Sequence, residues 1–229
     1  MGKLIVVCSR GGAISDEVLY FCPGFVYQPP GEEELWKYDG INPPQYVWTV
    51  PIIDEHITFI AWTELSSKLY IFTNDNDVQN RIYELNPATD AVTLVYGPYT
   101  HPSWPTRYNV AYAVAEWDSK LYVGHQGLNF YPFLLRFDPV TYAGSVVHTV
   151  NESHEGGGGL GLTGGYLYWI SGDLIHRSTT GDSGSWSQVW DLWSSGGREF
   201  AAGGAVQHID ESTIYFATTY DPVGSGDAR

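Results

Sequence analysis

Apolar residues along this chain fall in short runs closed by turn formers, with no sustained helical spacing. The run Ile57-Thr58-Phe59-Ile60-Ala61-Trp62-Thr63-Glu64 leads through Ser66-Ser67 to Lys68-Leu69-Tyr70-Ile71-Phe72. Arg81-Ile82-Tyr83-Glu84-Leu85 follows, then a turn at Asn86-Pro87-Ala88-Thr89-Asp90 and a last run, Ala91-Val92-Thr93-Leu94-Val95-Tyr96. Continuous apolar stretches of about 4–8 residues between turn signals are the pattern of strands buried on both faces. Four in succession with brief links predict an antiparallel meander.

The meander recurs. Asn109 to Ala115, Lys120 to Gly124, Leu134 to Pro139 and Gly144 to Val150 repeat it, as do Gly158 to Leu162, Tyr166 to Ile170, Leu174 to Ser178 and Ser187 to Leu192. Before them come a hairpin expected over residues 3–9 and 18–23, then Leu35 to Gly40 and Tyr46 to Val50; after them, Ala201 to His208 and Ser212 to Thr218. A Leu-Tyr pair, once Ile-Tyr, marks the second strand of every repeat, at Tyr20, Tyr70, Tyr122, Tyr168 and Tyr215. A period of about 40–50 residues in a strand-rich chain is the signature of a β-propeller with one blade per repeat. The reading is a single all-β propeller domain over 1–229, with four-stranded antiparallel blades at about 1–53, 54–103, 104–153 and 154–196 and a partial blade at 197–229. About five blades are visible. The outer pair of the last is expected from a C-terminal continuation or from a partner chain, because an unfinished blade leaves an open edge.

Charge narrows the partners. Eleven Lys and Arg against 26 Asp and Glu give a net charge of −15, spread along the chain. Such a field disfavours nucleic acid and anionic membrane surfaces. No stretch has transmembrane length and the apolar N-terminal run is too short for a signal peptide, so an extracellular or virion setting is an expectation from acidity alone. Cys8 and Cys22 would lie near-opposite in the first hairpin; buried thiols are the favoured state and a bridge the alternative.

In a four-stranded meander the first–second and third–fourth turns leave one face of the disc, and the second–third loops and inter-blade links leave the other. The first set is plain. The second set holds Pro23 to Glu34, Thr73 to Asn80, Pro98 to Tyr108, His125 to Phe133 and Asn151 to Gly157, and long loops on a rigid scaffold usually carry binding residues. Tyr99, Trp104, Arg107, Tyr108, His125, Gln126, Phe130 and Tyr131 are the candidate ligand-binding residues, since flat aromatics beside an amide and a guanidinium suit sugar rings or a protein surface. Weaker metal candidates are His125, His154 and Glu155, and the alternating Asp75 and Asp77. Calcium could use the latter oxygens, but the Gly and distal Glu of a helix–loop–helix calcium site are missing, so no cofactor is expected.

The segments Asn80-Arg81-Ile82-Tyr83-Glu84-Leu85-Asn86-Pro87-Ala88-Thr89-Asp90 and Leu135-Arg136-Phe137-Asp138-Pro139-Val140-Thr141 resemble kelch-type repeats, with Lys68-Leu69-Tyr70-Ile71 and Lys120-Leu121-Tyr122-Val123 as the strand before them. The likeness covers most of 57–150. It lacks the family's Gly-Gly doublet, having Thr73-Asn74 and Gly124-His125 instead. It implies a propeller scaffold whose relatives mostly bind proteins or sugars, with a few oxidases. Thr180-Gly181-Asp182-Ser183-Gly184-Ser185-Trp186 resembles the Asp-box turn of sialidases with one residue fewer before the Trp; in that turn the Asp caps the hairpin and the Trp packs between blades.

These readings predict a non-enzymatic recognition module holding a glycan or protein surface on its long-loop face, as in an adhesin, a lectin-like protein or a phage or viral receptor-binding part. The enzyme alternative is a propeller hydrolase, lyase or oxidase using His125, His154 and Glu155. The structural alternative is a spacer in a larger assembly.

Overall fold

The ladders that the apolar runs predict are present and longer than expected. The computed structural model describes residues 12–15, 18–22, 33–52, 55–64, 66–75, 79–100, 102–103, 109–127, 132–150, 157–171, 174–191, 200–201, 206–210, 213–216 and 219–220. All regular structure among them is β. The first sheet holds β1 (Gly12–Ser15), β2 (Val18–Phe21), β3 (Glu34–Tyr38) and β4 (Gln45–Thr49); the second β5 (Glu55–Thr63), β6 (Lys68–Asp75), β7 (Asn80–Asn86) and β8 (Ala91–Tyr99). The third holds β9 (Asn109–Trp117), β10 (Lys120–Gly127), β11 (Phe133–Phe137) and β12 (Gly144–Thr149); the fourth β13 (Gly157–Thr163), β14 (Tyr166–Ser171), β15 (Leu174–Ser178) and β16 (Ser187–Asp191). Each is a four-stranded antiparallel meander in chain order, the architecture of a propeller blade. In the last repeat β17 (Phe200–Ala201) pairs with β20 (Thr219–Tyr220), and β18 (Val206–Asp210) with β19 (Thr213–Phe216).

The first hairpin differs in phase from the expectation. Its register pairs Gly12 with Phe21 and Ser15 with Val18. Cys22 is in no disulfide. Residues 3–9, expected as the inner strand, lie outside the described residues.

The chain divides into two units, Met1–Ala111 with Pro139–Ala143, and Tyr112–Asp138 with Gly144–Arg229. In the first unit the core is Tyr20, Leu35, Val50, Ile57, Ile60, Leu69, Ile71, Tyr83 and Leu85. In the second it centres on Tyr122, Leu134, Val147, Leu160, Leu167, Trp169 and Trp186. Burying such side chains contributes about 1.5–3 kcal/mol each, and this drives sheets with little local propensity of their own to stack.

The tyrosine of each Leu-Tyr pair has a recurring duty. Across the ladder it faces a charged residue of the third strand: Tyr20 faces Lys37, Tyr70 faces Glu84, Tyr122 faces Arg136 and Tyr168 faces Arg177. Within the first unit, Lys37 Nζ donates to Asp90 Oδ2 at 2.5 Å, and Asp90 ends the β7–β8 turn. Burial, then the Asp90 charge, push the Tyr20 phenol up to about 12. Tyr70 is fully buried; its hydroxyl donates to Glu84 Oε2 at 3.1 Å and to the Pro139 carbonyl at 3.4 Å. Glu84 also accepts from Tyr142 (3.0 Å) and Lys68 (2.6 Å). Within the second unit, Arg136 Nη1 donates to Asp182, and Gly181 lies directly on the Tyr122 ring. In all three cases the seated element is the third–fourth turn of the following repeat. Asp90 (φ 56°) and Tyr142 (φ 59°) sit in the left-handed region at the ends of their turns, uncommon for residues with a side chain and tolerated here because tertiary contacts hold them.

Candidate functional site

At the loop-bearing end of the second sheet, strand ladder replaces the expected loop. The polar residues Thr73, Asn74 and Asp75 belong to β6, opposite Ile57, His56 and Glu55, and β7 begins at Asn80 opposite Asn74. Asp75 N donates to the Gln79 carbonyl at 2.9 Å, and Gln79 N donates to Asp75 Oδ1 at 2.7 Å, which closes the hairpin. The sequence hid this because polar side chains read as loop, whereas here their backbone groups complete the ladder and the side chains pair with one another.

The result is a charged cluster at the end of an apolar core. Glu55 is fully buried, a burden carried only when a carboxylate is paired and hydrogen-bonded. It accepts from Thr73 Oγ1 and, at 3.3 Å, from the Tyr83 hydroxyl. Burial first, then the Glu55 charge, hold the Tyr83 phenol well above its usual range. Arg81 Nη1 lies 3.4 Å from Glu55 Oε1 and 3.6 Å from Asp75 Oδ2, and Nη2 donates to Gln79 Oε1 at 3.0 Å. Arg81 Nη1 is buried yet makes no hydrogen bond among the described residues, held by charge alone between two carboxylates. His56 Nδ1 pairs with Glu33 Oε1 at 2.8 Å, and Glu33 Oε2 accepts from Ile57 N at 2.5 Å.

Tyr99 adjoins this end. It is the last residue of β8, opposite Asn80, with its ring 5.2 Å from that of Tyr96, and burial holds its phenol well above 10. Between Tyr96 and Tyr99 in the chain, Gly97 (φ 117°) runs so close to Asn80 and Arg81 that a Cβ would fall 2.8 Å from the Asn80 carbonyl. Only glycine fits there. The end of this sheet therefore presents, from inner to outer strand, a carboxylate, a second carboxylate, a guanidinium with two amides, and an aromatic pair.

The other expected residues are placed as follows. His125 belongs to β10 rather than to a loop; it is fully buried, stacks on Phe133 with ring centres 4.1 Å apart, and its Nδ1 is 3.1 Å from the Val123 carbonyl. Gln126 is also in β10. Trp104, Arg107, Tyr108, Phe130, Tyr131, His154, Glu155 and Asp77 lie outside the described residues. Asp75 is engaged by Arg81 and Gln79, as above. Among the described residues no three His, Cys, Asp or Glu side chains are grouped to hold a metal ion.

Sequence reasoning missed two features. The first is the Glu55–Arg81 pair, whose members are brought together only by β5–β6–β7 pairing. The second, in the second unit, is an imidazole pair: His148 Nε2 lies 3.2 Å from His176 Nδ1, with His148 stacked on Trp186 at 5.7 Å. Burial pulls the His148 pKa down to about 4. The turn that resembled an Asp box differs from that pattern in its capping. Ser178 Oγ accepts from Gly181 N (2.7 Å) and Thr180 N (3.2 Å), while the Asp182 carboxylate turns outward to Arg136. Trp186 is buried in the core of the second unit.

No protein-family model and no curated protein matches the chain. Solved structures do. The extracellular domain of a hybrid two component system from B. thetaiotaomicron aligns over 91% of this chain and 26% of its own, at 15% identity and TM-score 0.64. A chain of a nidogen/laminin complex aligns over 89% and 68%, at 11% identity and TM-score 0.57. The exo-β-1,3-galactanase of Clostridium thermocellum aligns over 90% and 60%, at 10% identity and TM-score 0.52. The chain thus spans about a quarter of the first of these proteins. At such identity the likeness establishes the fold: an all-β chain of propeller blades.

Proposed function

We propose that this chain is a recognition module that binds a glycan at the loop-bearing end of its second sheet. The observation that carries the reading is Arg81: a buried guanidinium between Glu55 and Asp75 whose Nη1 hydrogen-bonds to neither. Small-ligand sites join an apolar wall to a few fixed polar groups, and a sugar hydroxyl can accept from a guanidinium while donating to a carboxylate. Glu55, itself bonded by Thr73, is the buried carboxylate beside the arginine, Asp75 and Gln79 are the part-exposed polar groups, and the Tyr96–Tyr99 pair supplies the flat apolar partner. The galactanase and the nidogen/laminin chain show that glycan enzymes and protein-binding proteins share this fold; they support the class of function without selecting the ligand.

A glycan array followed by calorimetry on the best hit tests the reading, using Asp75→Asn, Tyr99→Ala, Trp104→Ala and Tyr131→Ala with the fold monitored by circular dichroism. Asp75→Asn keeps the shape and removes the charge. The expected result is a loss of affinity of at least about tenfold for it and for Tyr99→Ala, in the range of single hot-spot residues. Wild-type protein that binds no glycan on the array, or binding unchanged by both substitutions, would overturn the proposal.

A further inference from the structure

A guanidinium in a ligand site commonly marks an anionic ligand, because its planar fork matches a carboxylate or a phosphate with two parallel hydrogen bonds. Arg81 is arranged otherwise. Its Nη2 already donates to Gln79 Oε1 at 3.0 Å, and its Nη1 lies between two carboxylates, 3.4 Å from Glu55 Oε1 and 3.6 Å from Asp75 Oδ2. The fork is partly occupied, and one positive charge is set against two negative ones. Yet Nη1 is buried and makes no hydrogen bond. What that atom lacks is the lone pair of an acceptor, not a counter-charge.

Among the described residues of the first unit, no other cation restores the balance. Lys37 and Lys68 lie at the turn end of their sheets, on Asp90 and Glu84. Glu33, paired with His56 at 2.8 Å, adds no net positive charge at the start of β5. An anion at Arg81 Nη1 would therefore bring a third negative charge to a single cation. Glu55 is fully buried, so its share of the repulsion acts where water and salt screen it little. Asp75 has 26% of its side chain open to solvent and is the carboxylate that a ligand reaches.

We infer that the site takes a neutral glycan, bound through a hydroxyl that accepts from Arg81 Nη1 and donates to Asp75, and that Asp75 rejects carboxylated and sulfated sugars. The inference rests on the glycan reading above and names the class of sugar within it. A hydroxyl suits both neighbours because it accepts and donates without carrying charge. A carboxylate or a sulfate ester only accepts, so Asp75 would face it with no proton between them. Asp75 thus sets specificity by repulsion as well as by contact.

The test uses the whole chain and an array that carries neutral glycans beside sialylated, sulfated and uronate-bearing ones. Three probes then go to calorimetry: the best neutral hit, the same glycan oxidised to the uronate at its terminal sugar, and the methyl ester of that uronate. The expected hits are uncharged, and the uronate should bind at least about tenfold more weakly than its neutral parent, since like charges brought together in an interface are strongly disfavoured. The ester, which restores neutrality, should recover most of the loss. Asp75→Asn, with its fold checked by circular dichroism, should weaken neutral binding yet narrow the neutral-to-uronate ratio at least about fivefold. An acidic glycan among the tightest binders, an ester as weak as the acid, or a ratio unchanged by Asp75→Asn would each overturn the inference and leave the glycan reading standing. Wild-type protein that binds no glycan at all would overturn both.

Discussion

Gly181 carries the sharpest prediction, because the structure separates two penalties that usually travel together. Replacing it with alanine places a Cβ 2.0 Å from the Tyr122 hydroxyl oxygen and 2.4 Å from the ring carbon that bears it. Tyr122 is 1% exposed and packed in the core of the second unit, so the ring has nowhere to retreat. Forcing extra volume into a filled site costs about 1–3 kcal/mol. The backbone at Gly181 has φ of 70°, and a residue with a side chain pays about 1–2 kcal/mol more there.

Gly184, in the same turn, is the control: its φ is 83°, but an added Cβ meets nothing within 4 Å. Gly184→Ala should therefore lose only the backbone part, about 1–2 kcal/mol. Gly181→Ala should lose about 3 kcal/mol, or about 10 °C in Tm for a chain of this size. Urea titration followed by tryptophan fluorescence, with matched thermal melts, measures both. Tyr122→Leu provides the second leg of a cycle: in its background the Gly181→Ala penalty should shrink by about 1–2 kcal/mol, the size expected for touching residues. If Gly181→Ala falls within about 0.5 kcal/mol of Gly184→Ala, or if its penalty survives intact in Tyr122→Leu, the seated-turn argument fails.

Two more predictions follow from buried charge. Arg81→Met leaves Glu55 buried without its cation and should cost about 3–5 kcal/mol, whereas Glu55→Gln with Arg81→Met should cost clearly less than the sum of the single changes; additivity by denaturant titration would show that the two side chains do not act as a pair. His148, with its folded pKa lowered to about 4, resists a proton that the unfolded chain accepts at about 6.5. Its contribution is thus fully present above about pH 6.5 and is lost as pH falls from there to about 4, by at most about 2 kcal/mol after allowance for a ring that is not wholly sheltered. His148→Leu should flatten stability across that window, and a wild-type profile already flat between pH 6.5 and 4 would refute the assignment.

The period and the strand order were legible because each apolar run and its Ser-Ser, Asp-Ser or Asn-Pro turn is a local signal; the phase of the first hairpin and the polar ends of the strands were not. The role of Tyr70 was legible only in outline. That it packs between repeats follows from its place on a strand buried on both faces, but its bonds to Glu84 and Pro139 join residues 14 and 69 positions apart, and no local pattern encodes them. Polar ladder ends misled for a physical reason. Thr73, Asn74 and Asp75 look like loop because isolated polar residues avoid burial, yet Thr73 bonds Glu55, Asn74 bonds Asn80, and Asp75, part-exposed, pairs with Arg81. His125 misled in the same way. Its place at the start of a long loop suggested a site, and the fold instead carries it in β10 with its ring stacked on Phe133.

The two ends of each sheet are under different constraints, and this bears on where function can evolve. At the end with the third–fourth turns, each repeat is fixed by its neighbour: Asp90, Tyr142 and Gly181 must meet a tyrosine and a charge already set by the preceding repeat, so a change at one position needs an answering change in another repeat. At the loop-bearing end of the second sheet, the Glu55–Arg81–Asp75 cluster closes within one sheet. Its charged groups pair through β5, β6 and β7, with Tyr99 arriving on β8, and a substitution there is felt mainly inside that sheet. A binding site can therefore change at the loop end without unseating the turns that hold the repeats together.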